Sequence, residues 1–306
     1  MKHPLRILTG TTASGKSGIA LDWARKTGGW ILSCDALLFY RGADIGTAKP
    51  SASEQREVPH YGIDLSPADQ VYDLPRYIQH ALEVLEKAEE AGVPVLVAGG
   101  SGFYAAAFHE PPPDPIDVPA IIRQRVRELE ESGGTEALRS ALLEIDPTPD
   151  IDLLNPRRIS PALERCLTTG LTTQELRARH RSIPCPFDSW ERIWYQIDRP
   201  PEILSERIQL RTQQMLADGL VTEVEQLRTA GIEKNPPLAS AIGYRETLSY
   251  LDGVLPLSEL ASTISANTVR LAPRQRRWIR NRMPESRQIQ SAAGMEPPRG
   301  RAPLSE

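Results

Sequence analysis

The sequence predicts an α/β protein in which a parallel sheet is flanked by helices and interrupted by a separate helical segment. Three observations support this class. A short apolar segment runs into a glycine-rich loop near the start, further apolar segments alternate with helical ones, and a proline-rich stretch at 110–119 leads into charged helical sequence. Almost wholly apolar strands separated by helices are typical of parallel sheets covered on both faces.

The N-terminal part supplies three predicted strands. Residues 5–9 and 30–34 have the length and apolar character of buried strands, and VPVLVA at 93–98 is the third. A helix is predicted at 16–26, and apolar positions recur with helical spacing through 74–91. Each of the three strands is therefore followed by a loop at the same edge of the predicted sheet.

The second part of the chain changes character. Residues 119–181 are helical and charged, RIWYQID at 192–198 returns to strand composition, and a helix is predicted at 201–217. The tail is rich in proline, small and charged residues, which predicts disorder. The predicted domains are a core of residues 1–115 and 193–284, a helical insertion of residues 116–192, and a disordered tail of residues 285–306.

Composition narrows the classes of protein to consider. The net charge of −4 over 306 residues means that a nucleic-acid partner would need a local basic surface. The three cysteines form no CxxC and the five histidines form no HExxH, so neither a disulfide framework nor a zinc site is predicted. No apolar run reaches the roughly 18 residues that span a bilayer. We expect a cytoplasmic monomer with no membrane segment and no cleaved signal.

The sequence GTTASGKS at 10–17 has the spacing G-x-x-x-x-G-K-[ST] of a phosphate-binding loop. Such a loop lines a concavity with backbone N–H groups, and the following helix directs its positive end at the same place. The lysine adds a charge, and the hydroxyl of Ser17 can ligate Mg²⁺. The loop predicts a P-loop NTPase-like core that binds a diphosphate of unspecified origin. Its predicted diphosphate ligands are Gly10, Thr11, Thr12, Ala13, Ser14, Gly15, Lys16 and Ser17.

The loops after the other two strands also carry candidate residues, since ligands of open parallel sheets bind beyond the carboxyl ends of the strands. Asp35 follows the second strand, where it can be a general base, a ligand of magnesium-bound water, or a helix cap. Ser101, in GGSGFY at 99–104, either approaches a ligand or is an ordinary turn residue. The loop RGADIGTAKP at 41–50 is too specific for a linker and predicts a functional role.

Together these strand-end motifs resemble the tRNA dimethylallyltransferase family. That family reads G-P-T-A-S-G-K-[ST], D-S-x-x-x-Y-x-G-M-D-I-G-T-A-K-P and G-G-T-x-x-Y, where this chain has GTTASGKS, DALLFYRGADIGTAKP and GGSGFY. The resemblance continues in family order to about residue 282. Its further segments are NPRRISPALE at 155–164, RIQLRTQQMLADGLVTEV at 207–224, AIGYRE at 241–246 and TVRLAPRQRRWIR at 268–280.

The resemblance implies an alkyl transfer in which the loop holds dimethylallyl diphosphate rather than ATP, with Mg²⁺ as cofactor. The N6 atom of adenosine-37, beside the anticodon of tRNA, would attack C1 of the dimethylallyl group and pyrophosphate would leave. By the same resemblance Asp35 is the general base, Lys16 and Arg211 hold the leaving group, and the Ser101 hydroxyl lies at the oxygen that bridges carbon and phosphorus.

The resemblance also implies contacts with tRNA from both predicted domains. The target base must be flipped out of a stacked loop, so recognition should come from shape, splayed bases and phosphates. The implied contact residues are Asp35, Ala36, Leu37, Leu38, Ser101, Arg123, Arg157, Arg158, Ile159, Ser160, Pro161, Ser240, Ala241, Ile242, Gly243, Tyr244, Arg245, Arg274 and Arg277.

Several residues depart from the family pattern. Thr11 stands where the family has proline, and Ala36 where it has serine. Pro161, Val269 and Pro273 replace basic residues, which leads us to expect intact chemistry with altered tRNA affinity or choice. Pro273 also falls inside a predicted helix, where it costs about 3 kcal/mol unless it marks a kink.

Two alternative functions are compatible with parts of the sequence. A small-molecule kinase would use the same loop for ATP and the insertion as a lid, although it needs neither DIGTAKP nor the basic C-terminal motif. A tRNA-binding homologue with impaired catalysis would keep the basic segments and lose the reaction.

Overall fold

The computed structural model of the chain describes residues 3–295, which form two compact units. The insertion unit is Pro111–Cys185, and the core unit is built from the chain before and after it. The insertion therefore starts and ends earlier than the predicted 116–192, because the proline-rich segment packs with the insertion's own helices. Within this unit the buried Asp114 carboxylate lies 3.2 Å from Arg179 Nε and 3.7 Å from Arg165 Nη2.

The core unit contains the parallel sheet that the sequence predicts. Its strands are β1 (Leu5–Gly10), β2 (Trp30–Ser33), β3 (His60–Tyr61), β4 (Val95–Gly99), β5 (Arg192–Ile197) and β6 (Arg287–Gln288). Within the described residues they form a six-stranded sheet in the order β3-β2-β4-β1-β5-β6, with every pairing parallel. The sequence did not indicate β3 and β6 because each has only two residues and no apolar run.

Helices cover the sheet and form the insertion unit. They are α1 (Lys16–Thr27), α2 (Ala52–Glu57), α3 (Leu74–Glu90), α4 (Gly102–Ala106), α5 (Ala120–Ile145), α6 (Pro156–Thr169), α7 (Thr173–Ser182), α8 (Pro201–Ala217), α9 (Leu220–Thr229), α10 (Pro236–Ala239), α11 (Tyr244–Leu251) and α12 (Leu257–Arg282). The α/β class with a helical insertion is confirmed.

The centre of the sheet places the candidate loops side by side. All six residues of β1 are buried, and β1 lies between β4 and β5. Its residue Thr9 is level with Gly99 of β4, and Ala98 of β4 is level with Ser33 of β2. The carboxyl ends of β1, β2 and β4 are therefore neighbours, so the three loops that follow them converge.

The insertion unit has its own hydrophobic core. Residues 111–185 are all described and contain helices but no strand, as predicted. Val126, Leu138 and Leu142 of α5 pack with Ile159 and Leu163 of α6. This core is separate from that of the sheet, so the insertion is a structural unit rather than a long loop.

The C-terminal segment corrects one expectation. Residues 285–295 are not disordered, because they add β6 to the sheet edge, and Ile289, Ala292 and Met295 are buried in the core beside α1 and β5. The rest of the predicted disordered tail, residues 296–306, lies outside the described residues.

Proline inside α12 does not end the helix. α12 runs from Leu257 to Arg282 through Pro273, which lies exposed. Proline lacks the N–H that would bond the carbonyl of Val269 four residues earlier, so the helix is continuous at a cost of one hydrogen bond. Across residues 3–295, no helix has both the length and the apolar character needed to cross a membrane.

Candidate active site

The glycine-rich loop turns between β1 and α1 as its motif predicts. Gly15 precedes α1 with φ 96°, a left-handed conformation that glycine adopts without strain. The first N–H groups of α1 have no acceptor within the helix, and the helix dipole favours an anion there. The hydroxyls of Thr11 and Ser14 are buried and have no hydrogen-bond partner among the described residues. The first N–H groups of α1 are therefore the donors available where the sequence predicts a diphosphate.

Lys16 begins α1 and folds back over the loop. Its Nζ donates to the carbonyls of Gly10, at 2.9 Å, and Thr11, at 2.7 Å. Burial lowers the pKa of Lys16 to about 8, and the negative charge of Asp35 opposes that shift. An ammonium group has three donors, so one is available for a phosphate oxygen.

The two carboxylate oxygens of Asp35 have different surroundings: Oδ1 lies at a turn, and Oδ2 lies near Gly100 after β4. The Oδ1 atom accepts a hydrogen bond from the Leu37 N–H at 3.3 Å, so Asp35 caps a turn, although no helix follows it directly. A Cβ built on Gly100 would lie 3.4 Å from Asp35 Oδ2 and 3.4 Å from Lys16 Nζ. The cap role and a role in the site are therefore compatible, because they use different oxygens.

Ser101 brings a hydroxyl from the third strand end. It occupies the N-cap position of α4, but its side chain makes no cap hydrogen bond to that helix. The residue is half-buried and lines the same cavity as Lys16 and Asp35. A turn role explains its backbone, whereas its hydroxyl is left for a ligand.

A single cavity of about 1290 Å³ in the core unit collects these groups beyond the carboxyl ends of the strands. Gly10, Thr11 and Ser14 are buried in the loop and do not line it. The predicted site residues that line the cavity are Thr12, Ala13, Gly15, Lys16, Ser17, Asp35, Ala36, Leu37, Leu38, Ser101, Arg211, Ile242 and Gly243.

Helix α8 adds two arginines to this cavity. Arg211 Nη2 donates to the Thr47 carbonyl at 3.3 Å. Burial lowers the pKa of Arg211, and nearby Asp35 opposes the shift. Arg207, one turn earlier, donates from Nε to the carbonyl of Ala13 at 2.6 Å. Arg207 was not predicted as a site residue, although the RIQLR spacing that selected Arg211 places both on one face of the helix.

The residues predicted to contact tRNA differ in solvent exposure and lie in both units. The side chains of Ser240, Arg245, Arg274 and Arg277 are exposed in the core unit, and those of Arg123, Arg157, Arg158 and Pro161 are exposed in the insertion unit. Ala241 and Ser160 are half-buried, and the Ser160 hydroxyl donates to Glu130 at 3.2 Å.

Two of the predicted tRNA contacts need correction. Ile159 has no exposed surface, because it lies in the core of the insertion unit. Tyr244 is also fully buried, and its hydroxyl donates to Glu223 Oε1 at 2.9 Å. Neither side chain is available to RNA in this structure. Resemblance identifies segments of sequence and does not specify which face of a helix each residue occupies.

Gln275 of α12, which was not among the predicted site residues, joins two of the converging loops. Its Oε1 accepts the Thr12 N–H at 2.9 Å, and its Nε2 donates to the Gly100 carbonyl at 3.2 Å. The Thr12 amide, predicted as a diphosphate ligand, is therefore already paired. The glutamine lies within the matched segment at 268–280, in which only charged residues were predicted to contact a ligand.

The residues of the site fit a Mg²⁺ ion that takes most of its ligands from phosphate and water. Residues 3–295 contain no cluster of three or more His, Cys, Asp or Glu side chains that could hold a metal ion. Mg²⁺ commonly takes one or two protein ligands and completes its shell with water and substrate phosphates. Ser17, exposed on the first turn of α1 and lining the cavity, fits the role of such a single protein ligand.

Two known tRNA dimethylallyltransferases are similar to this chain in sequence over most of its length. A tRNA dimethylallyltransferase of Opitutus terrae is 43% identical over 291 residues, which cover 95% of this chain and 94% of that protein. The tRNA dimethylallyltransferase 1 of Trichlorobacter lovleyi is 35% identical over 92% of both chains.

Two solved structures are similar to this chain in fold. A tRNA isopentenylpyrophosphate transferase from Bacillus halodurans superimposes with a TM-score of 0.65 at 29% identity, covering 94% of this chain and 89% of that one. A eukaryotic dimethylallyltransferase shares the fold with a TM-score of 0.76 at 22% identity, over 90% of this chain and 69% of that one. The sequence model of the family described as IPP transferase matches residues 38–282. The chain therefore belongs to the IPP transferase family.

Proposed function

We propose that this chain is a tRNA dimethylallyltransferase, which moves the dimethylallyl group of dimethylallyl diphosphate to N6 of adenosine-37 in tRNA and releases pyrophosphate. The observation that supports it best is the convergence of an anion-binding loop and a carboxylate at one cavity. Lys16 and Asp35 both approach Gly100. A Cβ built on that glycine would lie 3.4 Å from Lys16 Nζ and 3.4 Å from Asp35 Oδ2. The cavity of about 1290 Å³ has the volume for dimethylallyl diphosphate and one extruded adenine base.

The proposed chemistry is one displacement at carbon. A bond forms between N6 and C1 of the dimethylallyl group while the bond from C1 to oxygen breaks, and its electron pair leaves with pyrophosphate. Lys16, Arg211 and the first amides of α1 stabilise the charge that develops on the leaving group. The Ser101 hydroxyl donates to the bridging oxygen. The Ser17 hydroxyl would hold Mg²⁺, which would supply further positive charge to the leaving group.

The acceptor nitrogen needs a base because its lone pair is delocalised into the purine ring. Asp35 Oδ2 takes the proton that N6 loses as it becomes cationic, while Oδ1 continues to cap the turn at Leu37. A positioned base of this kind typically contributes about 10² to 10⁴ in rate.

Binding of tRNA is proposed to use the exposed arginines of both units. Arg157 and Arg158 of the insertion unit and Arg274 and Arg277 of α12 are exposed. They can contact phosphates, which carry most of the affinity for nucleic acid. We propose that the enzyme works as a monomer, in the cytoplasm where its tRNA substrate is available.

The test is incubation of the full chain with tRNA and either dimethylallyl diphosphate or ATP. Pyrophosphate release and the mass of adenosine in the tRNA hydrolysate are measured. The proposal predicts prenylated adenosine and pyrophosphate with dimethylallyl diphosphate only. A phosphorylated product with ATP would identify the kinase alternative, whereas tRNA binding without either product would identify the non-catalytic homologue.

A further inference from the structure

Glu223 of α9 is a buried carboxylate that the proposed chemistry does not use. The residue is 7% exposed. Its Oε2 accepts the N–H groups of Asp44, at 2.9 Å, and Ile45, at 2.6 Å, and its Oε1 accepts the N–H of Gly46 at 3.0 Å. Three consecutive backbone amides are thus held by one side chain that lies 177 to 179 positions later in the chain.

Tyr244 completes this arrangement from α11. Its hydroxyl donates to Glu223 Oε1 at 2.9 Å, so the carboxylate has four donors for its four lone-pair sites. The ring packs directly on the loop, because a Cβ on Gly46 would lie 2.6 Å from Tyr244 Cζ. Any side chain at residue 46 would displace the ring, so glycine is required there.

The three amides held by Glu223 belong to a loop that lines the cavity. The carbonyl of Thr47, the next residue, accepts a hydrogen bond from Arg211 Nη2 at 3.3 Å. Lys49 is tied in the same loop, since its Nζ lies 2.6 Å from Asp64 Oδ1 and 2.9 Å from the Tyr40 carbonyl. Residues 44–49 all line the cavity. Movement of this loop would therefore move the partner that orients the Arg211 guanidinium.

We propose that Glu223 is a positioning residue that fixes the loop of residues 44–49 and, through the Thr47 carbonyl, holds Arg211 in place for the diphosphate. This inference rests on the proposed function only in the identity of the anion. Glu223 itself touches neither substrate. Glu223 keeps the loop of residues 44–49 ordered before the diphosphate binds. The conformational entropy of ordering that loop is therefore not lost on binding, and the affinity is higher.

The experiment compares E223Q with E225Q. Glutamine keeps the size of the side chain but turns an NH₂ group toward backbone donors, so part of the network is lost. Glu225 is exposed on the same helix and serves as the matched control. Binding of inorganic pyrophosphate and of an anticodon stem-loop RNA is measured by calorimetry. Amide hydrogen exchange at residues 44–46 is measured on the same proteins.

The expected result separates positioning from general stability. E223Q should weaken pyrophosphate binding about tenfold and speed exchange at residues 44–46, while RNA affinity stays within about twofold. E225Q should match the wild type in all three. Y244F keeps the carboxylate and removes one donor, so it should weaken pyrophosphate binding by about threefold to fivefold. If E223Q does not fold, Y244F still tests the inference.

Unchanged pyrophosphate affinity and unchanged amide exchange in E223Q and Y244F would overturn the inference, as would equal losses of RNA and pyrophosphate affinity. The proposed function is judged separately, by prenyl transfer in the wild type. Absence of transfer with the pyrophosphate result intact would refute the function and leave the positioning role standing.

Discussion

At the residue scale, Asp35 caps a turn with one carboxylate oxygen and is proposed to act as the general base with the other. Substituting asparagine keeps the amide oxygen that can accept the Leu37 N–H and removes the basic carboxylate. We expect D35N to lower the rate of prenyl transfer by about 10² to 10⁴, with pyrophosphate affinity nearly unchanged. Single-turnover kinetics with saturating substrates measures the rate. D22N, at a partly exposed aspartate of α1, is the control, and transfer by D35N at the rate of D22N would contradict the base assignment.

Lys16 gives the site a pH dependence. Its pKa in the folded protein without ligand is lowered to about 8 by burial. A bound diphosphate stabilises the ammonium and raises that pKa again. Pyrophosphate binding should therefore take up a proton above about pH 8 and weaken as the pH rises further. Calorimetry in two buffers of different ionisation enthalpy at pH 8.5 measures the uptake, which K16M should abolish; uptake that persists in K16M would point to another group.

The same shift has a consequence for stability. The native state binds fewer protons than the unfolded state between the folded pKa of about 8 and the ordinary value of 10.5. Lys16 therefore destabilises the fold fully below pH 8, and this penalty is relieved as the pH rises toward 10.5. The proposed diphosphate role explains why a buried ammonium is retained despite this penalty.

At the scale of elements, α12 connects the arginines proposed to bind RNA with the cavity. Arg274 and Arg277 are exposed on it, while Gln275 bonds to Thr12 and Gly100 in the cavity. Each hydrogen bond contributes about 1 kcal/mol. We expect Q275L to lower kcat/KM for dimethylallyl diphosphate about tenfold. Q209L, at an exposed glutamine of α8, should leave it unchanged, and the same value for both variants would exclude a bridging role.

How far elements can be predicted depends on the range of the interactions that hold them. β1, α1 and the loop between them follow from an apolar run and a spaced motif, so local sequence was sufficient. The carboxylate of Glu223 holds amides from a distant segment, and no local pattern encodes that pairing. β6 was missed because burial of Ile289 and Met295 fixes it within sequence of disordered composition. Ile159 was misassigned although Ile159, Leu163 and Cys166, at helical spacing, mark a buried face.

At the scale of the whole molecule, RNA binding must rely on local charge, since the chain carries a net charge of −4. Each phosphate contact adds roughly 0.7 to 0.9 to the slope of log affinity against log salt. We expect the R157Q/R158Q variant to lower that slope by up to about 2. Pyrophosphate affinity should be unchanged, because both arginines lie in the insertion unit. R181Q, at another exposed arginine of that unit, is the control.

A slope in R157Q/R158Q equal to that of the wild type would remove these arginines from the RNA interface. Equal loss in R181Q would mean that the insertion acts through its overall charge rather than through the motif at 155–164. Filter binding with an anticodon stem-loop at several salt concentrations measures all three proteins.

One cavity is proposed to hold the diphosphate against its loop and the attacking N6 atom against Asp35, with the reacting carbon between them. The most direct measurement is a crystal structure of the full chain with an anticodon stem-loop and an unreactive thio analogue of dimethylallyl diphosphate. We predict diphosphate oxygens within about 3.2 Å of Lys16 Nζ and the first amides of α1, and N6 of the extruded adenosine within about 3.2 Å of an Asp35 carboxylate oxygen. A diphosphate bound away from the loop, or an N6 atom out of reach of Asp35, would contradict the account.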